Sequence, residues 1–263
     1  PQTREHLDIC KILRTRRGII ALTKTDLVDE EWLELVQEEI RTFSRGSFLE
    51  HAPIIPVSSV TGEGIPALLA AMDRIVREVE DKPAAGILRL PIDRVFTMKG
   101  FGTVITGTLL SGSVAVGDSV EILPGGYEAK VRGIQVHNQQ VPRATAGLRT
   151  AINLQGVEKE SVAKGGMLIH PRTLAPTARI DVRLEHLPSS AKPLKNRAIA
   201  RFHSGTSEVL CRIILLDQDE LAPGAGSLAQ IILEEPVVVL PHDRFVMRSY
   251  SPVYTIGGGE ILD

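Results

Sequence analysis

Aromatic residues are scarce in this chain: one Trp, three Tyr and six Phe among 263 residues. That is too few for the stacking platforms with which proteins hold single-stranded RNA. The two cysteines, Cys10 and Cys211, lie far apart with no paired-ligand spacing. They are expected to be buried, reduced thiols of a cytosolic protein, not a disulfide or a metal site. The seven histidines form no His-x-x-x-His or comparable cluster, which excludes a structural zinc site of that kind. Thirty basic residues nearly balance thirty-two acidic ones. No global field gathers nucleic acid, so any such surface has to be local. No run of about 20 apolar residues exists to cross a membrane, and no signal sequence is present. A cytoplasmic protein without a membrane partner is expected. Also missing is any Gly-x-x-x-x-Gly-Lys-Ser/Thr, any Gly-Lys pair, any Asp-x-x-Gly turn and any Pro-Gly-His segment. Those absences remove a phosphate cradle, a hydroxyl for Mg²⁺ and the means to orient an attacking water. The chain starts at Pro1 without an initiator Met, and is expected to be a piece whose N-terminal strands lie outside it.

What is present begins with two short motifs at strand ends. Thr23-Lys24-Thr25-Asp26 follows the apolar run Gly18–Leu22, and Val57-Ser58-Ser59 follows Pro53–Pro56. Asp26 can accept both the ring N–H and the exocyclic amine of guanine, a donor pair that adenine lacks. Polar groups left unpaired against the wrong base make such discrimination strong. The Lys24 stem can cover the base face, and Ser58 and Ser59 can supply hydroxyl and backbone groups to the base carbonyl. Taken singly, Thr-Lys-x-Asp is also a helix N-cap region and Ser-Ser-x-Thr-Gly an ordinary loop. Their order, with a helix between them, favours guanine.

Residues 1–80 read as α/β. Glu31–Phe43 places Trp32, Leu35, Val36, Ile40 and Phe43 on one helical face with Asp29 as N-cap. Gly64–Glu80 forms a second helix with Pro66 in its first turn and Leu69, Met72, Val76 and Val79 as its stripe. Parallel strand pairing puts both motif loops at the carboxyl ends of the strands, where open α/β sheets bind ligands. The result is half a sheet, with an unfilled edge and face. Residues 81–86 form a linker whose Pro and Gly end the helix. From Ile87 onward short strands separated by Gly- and Pro-containing turns predict two all-β barrels, 87–172 and 173–263, each of ordinary domain size.

Asp93–Gly107, which runs Asp-Arg-Val-Phe-Thr-Met-Lys-Gly-Phe-Gly-Thr-Val-Ile-Thr-Gly, together with Thr-Lys-x-Asp, resembles the translational GTPases of the elongation factor Tu type. The opening Pro1–Leu7 is similar to the segment that follows their second switch. Asp243–Pro252 and the later Thr255-Ile256-Gly257-Gly258-Gly259 resemble the third domain of selenocysteine-specific elongation factors. The resemblance covers essentially the whole chain and implies a partial P-loop-type GTPase domain followed by domain 2 and domain 3 type barrels. It implies GTP and Mg²⁺ as cofactors of the complete protein, with none bound tightly by this chain. It implies selenocysteinyl-tRNA and the ribosome as partners. The selenocysteine insertion element of the mRNA would be read by a C-terminal region absent here. It further assigns Asp93, Arg94 and Arg149 to the pocket for the aminoacyl side chain.

The chemistry suits that assignment. A selenol is more acidic than a thiol, and two guanidiniums favour its anion over neutral serine or a mostly protonated cysteine. Asp93 can orient one guanidinium and limit repulsion between the two. From spacing alone Asp93-Arg94 reads as a surface ion pair at a strand end and Arg149 as an exposed strand residue; it is the resemblance that favours the pocket. Lys99 and Arg132 in the first barrel, and Arg201, His203 and Ser204 in the second, are candidate contacts to the tRNA backbone, or else a solvated basic face. Gly257–Gly259 lacks a following helix and is expected to mark a tight bend or a close chain approach. Two other functions fit the same sequence: a general elongation factor Tu-like or initiation-type carrier, and a nucleotide-independent RNA-binding barrel scaffold. As it stands, the chain is expected to be catalytically inert.

Overall fold

A computed structural model of the chain describes residues 2–79, 85–98 and 102–263. Lys99 and most of the 81–86 linker lie outside the described residues. The chain divides into two compact units, Leu13–Asp81 and Pro1–Ile12 together with Lys82–Asp263.

The chain opens with helix α1 (Gln2–Ile12). In the Leu13–Asp81 unit, strands β1 (Ile20–Thr23) and β2 (Ile54–Val57) pair in parallel, with Thr23 opposite Val57. Helices α2 (Glu30–Ser44) and α3 (Ile65–Glu78) complete it. Asp29 caps α2 as its sequence predicts, its carboxylate accepting the Trp32 N–H at 2.9 Å. Arg17 pairs with Glu78 at the end of α3. The stripes on both helices are only partly covered. Leu35 is 61% exposed and Val76 69%, because two strands of four residues present too little apolar surface to seat two amphipathic helices.

The first barrel contains β3 (Leu90–Met98), β4 (Gly102–Thr108), β5 (Ser113–Ala115), β6 (Ser119–Leu123), β7 (Tyr127–Val136), β8 (Gln139–Val141), β9 (Arg143–Thr145), β10 (Arg149–Gln155) and β11 (Met167–Ile169). Its main sheet runs β10-β4-β3-β11-β6-β7-β8 and closes where β10 pairs with β7. Closure leaves the core strands without a free edge. Inward residues such as Ile92, Ile105, Ile134, Ile152 and Leu168 are almost fully buried.

The second barrel contains β12 (Thr177–His186), β13 (Leu194–Lys195), β14 (Ile199–Ser204), β15 (Ser207–Leu215), β16 (Glu220–Leu221), β17 (Gly226–Val237), β18 (Arg244–Ser249) and β19 (Thr255–Ile261). It closes in the order β12-β17-β15-β14-β18-β19. Phe202 and Phe245 stack at its centre with ring centroids 5.3 Å apart. Cys211 packs in the same core, and burial pushes its thiol up to about 12, which leaves it inert.

Helix α1 packs on this second barrel. Ile12, with Ile9 beside it, joins Leu187 and Val246 in a small apolar cluster. The Glu5 carboxylate accepts from Arg248 Nη2 (2.9 Å), Thr255 N–H (3.1 Å) and Thr255 Oγ1 (2.8 Å). The Gly257–Gly259 segment is a close approach, not a bend, since it lies inside the extended strand β19. A Cβ on Gly258 would stand 2.3 Å from the Phe245 carbonyl oxygen and 2.5 Å from Ile12 Cγ2.

Between the barrels, the Arg89 guanidinium binds both carboxylate oxygens of Asp243, Nη1 to Oδ1 at 3.0 Å. Leu123, Met167 and Ile169 of the first barrel meet Val238 beside it. Two predictions follow from these contacts. Arg89→Ala strands the Asp243 carboxylate and should cost about 3 kcal/mol in denaturant unfolding. Gly258→Ala should cost about 1–3 kcal/mol, because both the strand and α1 have to shift; an unchanged midpoint would contradict the close packing.

Candidate functional site

The first candidate site lies at the carboxyl ends of β1 and β2. Parallel pairing brings the two motifs together, and Ser58 Oγ donates to Asp26 Oδ1 at 2.6 Å. Ser58 is fully buried, and its hydroxyl oxygen accepts the Val60 and Thr61 N–H groups, both at 3.2 Å. That geometry corrects one expectation: the Ser58 hydroxyl is committed to holding Asp26 and is not free for a base carbonyl. Ser59 is exposed beside it. Lys24 takes the left-handed conformation, φ 62°, and is exposed, as Thr23 is. The second Asp26 oxygen has no partner among the described residues. The arrangement fits a guanine, with one carboxylate braced from behind and open in front. Ser58→Ala would leave two backbone donors and Asp26 without their partner. It should cost about 1–3 kcal/mol in the thermal unfolding of this unit.

The second candidate site is on the outer face of the first barrel. Between Ile92, opposite Gly107, and Arg94, opposite Thr106, the β3–β4 register shifts, so Asp93 is the extra residue of a β-bulge. Gly107 is needed there, because a Cβ on it would lie 2.1 Å from the Pro91 carbonyl oxygen. The bulge brings Asp93 to Arg149 at the start of β10. Arg149 Nη1 donates to Asp93 Oδ2 at 2.5 Å, and Nη2 reaches Oδ1 at 3.3 Å. Thr106 Oγ1 donates to Asp93 Oδ1 at 2.6 Å. Arg94 is exposed and has no partner among the described residues, yet its charge is felt at Asp93. Partial burial is the largest single influence on the Asp93 carboxyl and acts to raise its pKa. The hydrogen bonds from Arg149 and Thr106, with the charges of Arg149 and Arg94, outweigh it and hold the pKa below the ordinary value.

Alternation along β10 sends Thr150, Ile152 and Leu154 inward and Arg149, Ala151 and Asn153 outward. Ala151 and Asn153 line a cavity of about 440 Å³ with Phe96, Val104, Arg132 and Gln135. Asn153 Oδ1 is buried without a hydrogen-bond partner among the described residues. Sequence patterning missed this cavity. The outward apolar residues Phe96 and Val104 were its only signal.

The remaining candidates separate. Arg132 lines the cavity wall. Arg201 and His203 lie together on the outward face of β14, next to Ser204. Arg201 is already paired with Glu208 at 2.9 Å and lies over the Tyr250 ring. Burial lowers the His203 pKa. Glu208 opposes that shift, and the charges of Arg248 and Arg201 add to it. The net shift is downward, toward the neutral imidazole. Among the described residues no group of three or more His, Cys, Asp or Glu could hold a metal ion, and no helix is long and apolar enough to cross a membrane.

Comparison with known proteins agrees with this geometry. Residues 1–78 match the elongation factor Tu GTP binding domain, residues 102–169 elongation factor Tu domain 2, and residues 177–263 the beta-barrel domain of the selenocysteine-specific elongation factor. The chain is 47% identical, over its full length, to 42% of the selenocysteine-specific elongation factor of Desulfomicrobium baculatum. It is 33% identical, again over its full length, to 68% of elongation factor 1-alpha from Metallosphaera sedula. The crystal structure of a bacterial selenocysteine-specific elongation factor superposes with a TM-score of 0.84 at 30% identity, over 99% of this chain and 42% of that one. The fold is that of a translational GTPase of the elongation factor class, with only part of the GTP-binding domain present. Within that class, the chain belongs to the selenocysteine-specific elongation factor family. It spans about two fifths of the length of the selenocysteine-specific relatives above. For the family, GTP and Mg²⁺ are the cofactors of the complete GTPase.

Acidification tests the second site. Asp93 has a depressed pKa in the folded chain, so its contribution is fully present above the unfolded value of about 3.9. It is lost as pH falls through the lower folded value. A ¹³C titration should place the Asp93 midpoint below that of an ordinary aspartate, and Asp93→Asn should remove this part of the acid dependence of stability. A midpoint at or above the ordinary value would contradict the pairing with Arg149.

Proposed function

We propose that this chain is the carrier portion of a GTP-dependent factor that brings selenocysteinyl-tRNA to the ribosome in the cytoplasm, with the aminoacyl end seated on the outer face of the first barrel. The observation that carries the proposal is the division of labour around Asp93. Arg149 is neutralised by the carboxylate, while Arg94 beside it has no hydrogen-bond or ion-pair partner among the described residues. A pocket of two arginines and one aspartate has one net positive charge, which a selenolate balances and a serine hydroxyl does not.

The neighbouring cavity supports the same placement. Arg149 and Asn153 are four residues apart on one strand, about 13 Å. That spans an aminoacyl ester and the nucleoside that carries it. The unpaired Asn153 oxygen would accept a hydrogen bond from that nucleoside, and Phe96 and Val104 would bury its base. Arg132 at the wall would meet the adjoining phosphate. Lys99 remains a candidate for a further phosphate. Arg201, His203 and Ser204 would contribute shape to a tRNA surface more than charge.

At the other site, Asp26 would read the guanine edge of GTP, with the Lys24 stem over the base and Thr23 and Ser59 around it. The phosphates and Mg²⁺ call on a phosphate loop that these 263 residues do not contain, so the chain alone is proposed not to hydrolyse GTP. The mRNA element for selenocysteine insertion would be read by another region of the complete factor.

The test uses a short acceptor-stem RNA ending in amide-linked selenocysteine and its seryl counterpart. The 263-residue chain should prefer the selenocysteinyl form, with the preference falling as acid protonates the selenol. Arg94→Ala should abolish the preference. Equal binding of both RNAs by the unaltered chain would sink the assignment in favour of a general aminoacyl-tRNA carrier or an RNA-binding barrel.

A further inference from the structure

Thr106 lies at the centre of the aminoacyl site without belonging to the Asp-Arg-Arg set. It sits on β4, the strand between β3 and β10, with Arg94 as its register partner on one side and Ala151 on the other. Its hydroxyl donates to Asp93 Oδ1 at 2.6 Å, the shorter of the two contacts to that oxygen. Asp93 has two arginines within electrostatic reach, Arg149 and Arg94, and one carboxylate cannot serve both in the same bidentate geometry. Arg149 approaches from a side chain that is 55% exposed, so the solvent-screened ion pair alone would hold the carboxylate weakly.

We infer that Thr106 is a specificity-determining positioning residue: its hydroxyl fixes the Asp93 carboxylate on Arg149 and thereby keeps Arg94 free for an anionic aminoacyl side chain. The inference rests on the aminoacyl pocket proposed above. Without the Thr106 donor, Asp93 can turn about its side-chain bonds toward Arg94, the nearer residue in sequence. Paired there, it would cancel the Arg94 charge, and the site would lose its preference for a selenolate over a hydroxyl. The choice of threonine also suits the strand, because a β-branched residue packs well on a pleated outer surface.

Thr106→Val keeps the branch and the volume and removes only the hydroxyl; Thr106→Ser keeps the hydroxyl. With the two acceptor-stem RNAs, Thr106→Val should lower the selenocysteinyl-over-seryl preference about tenfold, the size expected for one hydrogen bond to a charged group. Affinity for the seryl RNA should not change, and Thr106→Ser should restore the preference. A ¹³C titration without RNA should show the Asp93 midpoint rising in Thr106→Val and returning in Thr106→Ser. Should Thr106→Val disturb the barrel, Thr106→Ala read by the same titration replaces it. If the hydroxyl-free variants keep the full preference, or leave the Asp93 midpoint in place, while Arg94→Ala loses the preference, Thr106 has no positioning role and the pocket stands. If Arg94→Ala and Arg149→Ala also keep the preference, the pocket itself is misassigned and the inference falls with it.

Discussion

The link between Arg89 and Asp243 is the constraint on which the arrangement of the two barrels rests. Arg89 enters the first barrel at the residue before β3, and Asp243 leads into β18 of the second. Both are largely buried, so each ion depends on the other for the solvation it gave up. Asp243 also accepts the Leu240 N–H, which fixes the chain just ahead of β18. The hairpin tip at Gly205 runs close to Pro91, where an added Cβ would lie 3.3 Å from the proline ring. The same few residues of β3 therefore hold the second barrel at one end and form the Asp93 bulge at the other. The orientation of the site and the docking of the barrels are properties of a single strand.

Around Asp93 two like charges are treated unequally. Asp93 cannot be satisfied by proximity alone, since Arg94 is its sequence neighbour and Arg149 lies 56 residues away. The bulge decides the matter by turning Asp93 away from the regular alternation of β3. An apolar recess and an unpartnered acceptor then continue along β10 on the same face. The loops after β1 and β2 follow the same logic at smaller scale: Ser58, buried and already committed, holds one oxygen of the exposed Asp26 carboxylate.

Much of this was legible in the sequence because it depends on local pattern. Strands such as Ser119–Leu123 and Tyr127–Val136 announce themselves by alternation between glycine-bearing turns, and Asp29 announces the start of α2 by its side chain. The two strand-end motifs could be placed together because parallel pairing forces it. What could not be read depends on partners far along the chain. The seat of α1 uses Leu187 and Val246, far beyond it in sequence. The cavity draws residues from five strands, none of which forms a motif. The identity of the arginine bound by Asp93 depends on a bulge, and bulges leave no mark in hydrophobic periodicity. The stripes on α2 and α3 correctly foretold helices but not their coverage, which depends on surface that two short strands cannot provide.

The three consecutive glycines of β19 have a practical corollary for anyone who handles the barrels separately. Sequence similarity assigns residues 1–78 to the GTP-binding domain, yet α1 rests on the bare backbone at Gly258, the middle glycine, and clusters with Leu187 and Val246. A boundary drawn by family resemblance thus cuts through a packed interface. Barrels expressed from residue 85 onward would carry a raw greasy stripe and an unmatched Arg248 where the helix belongs, and would be prone to stick to one another. Supplying residues 1–12 as a separate peptide, or tethering them by a short linker, would be the natural way to keep such a preparation in solution.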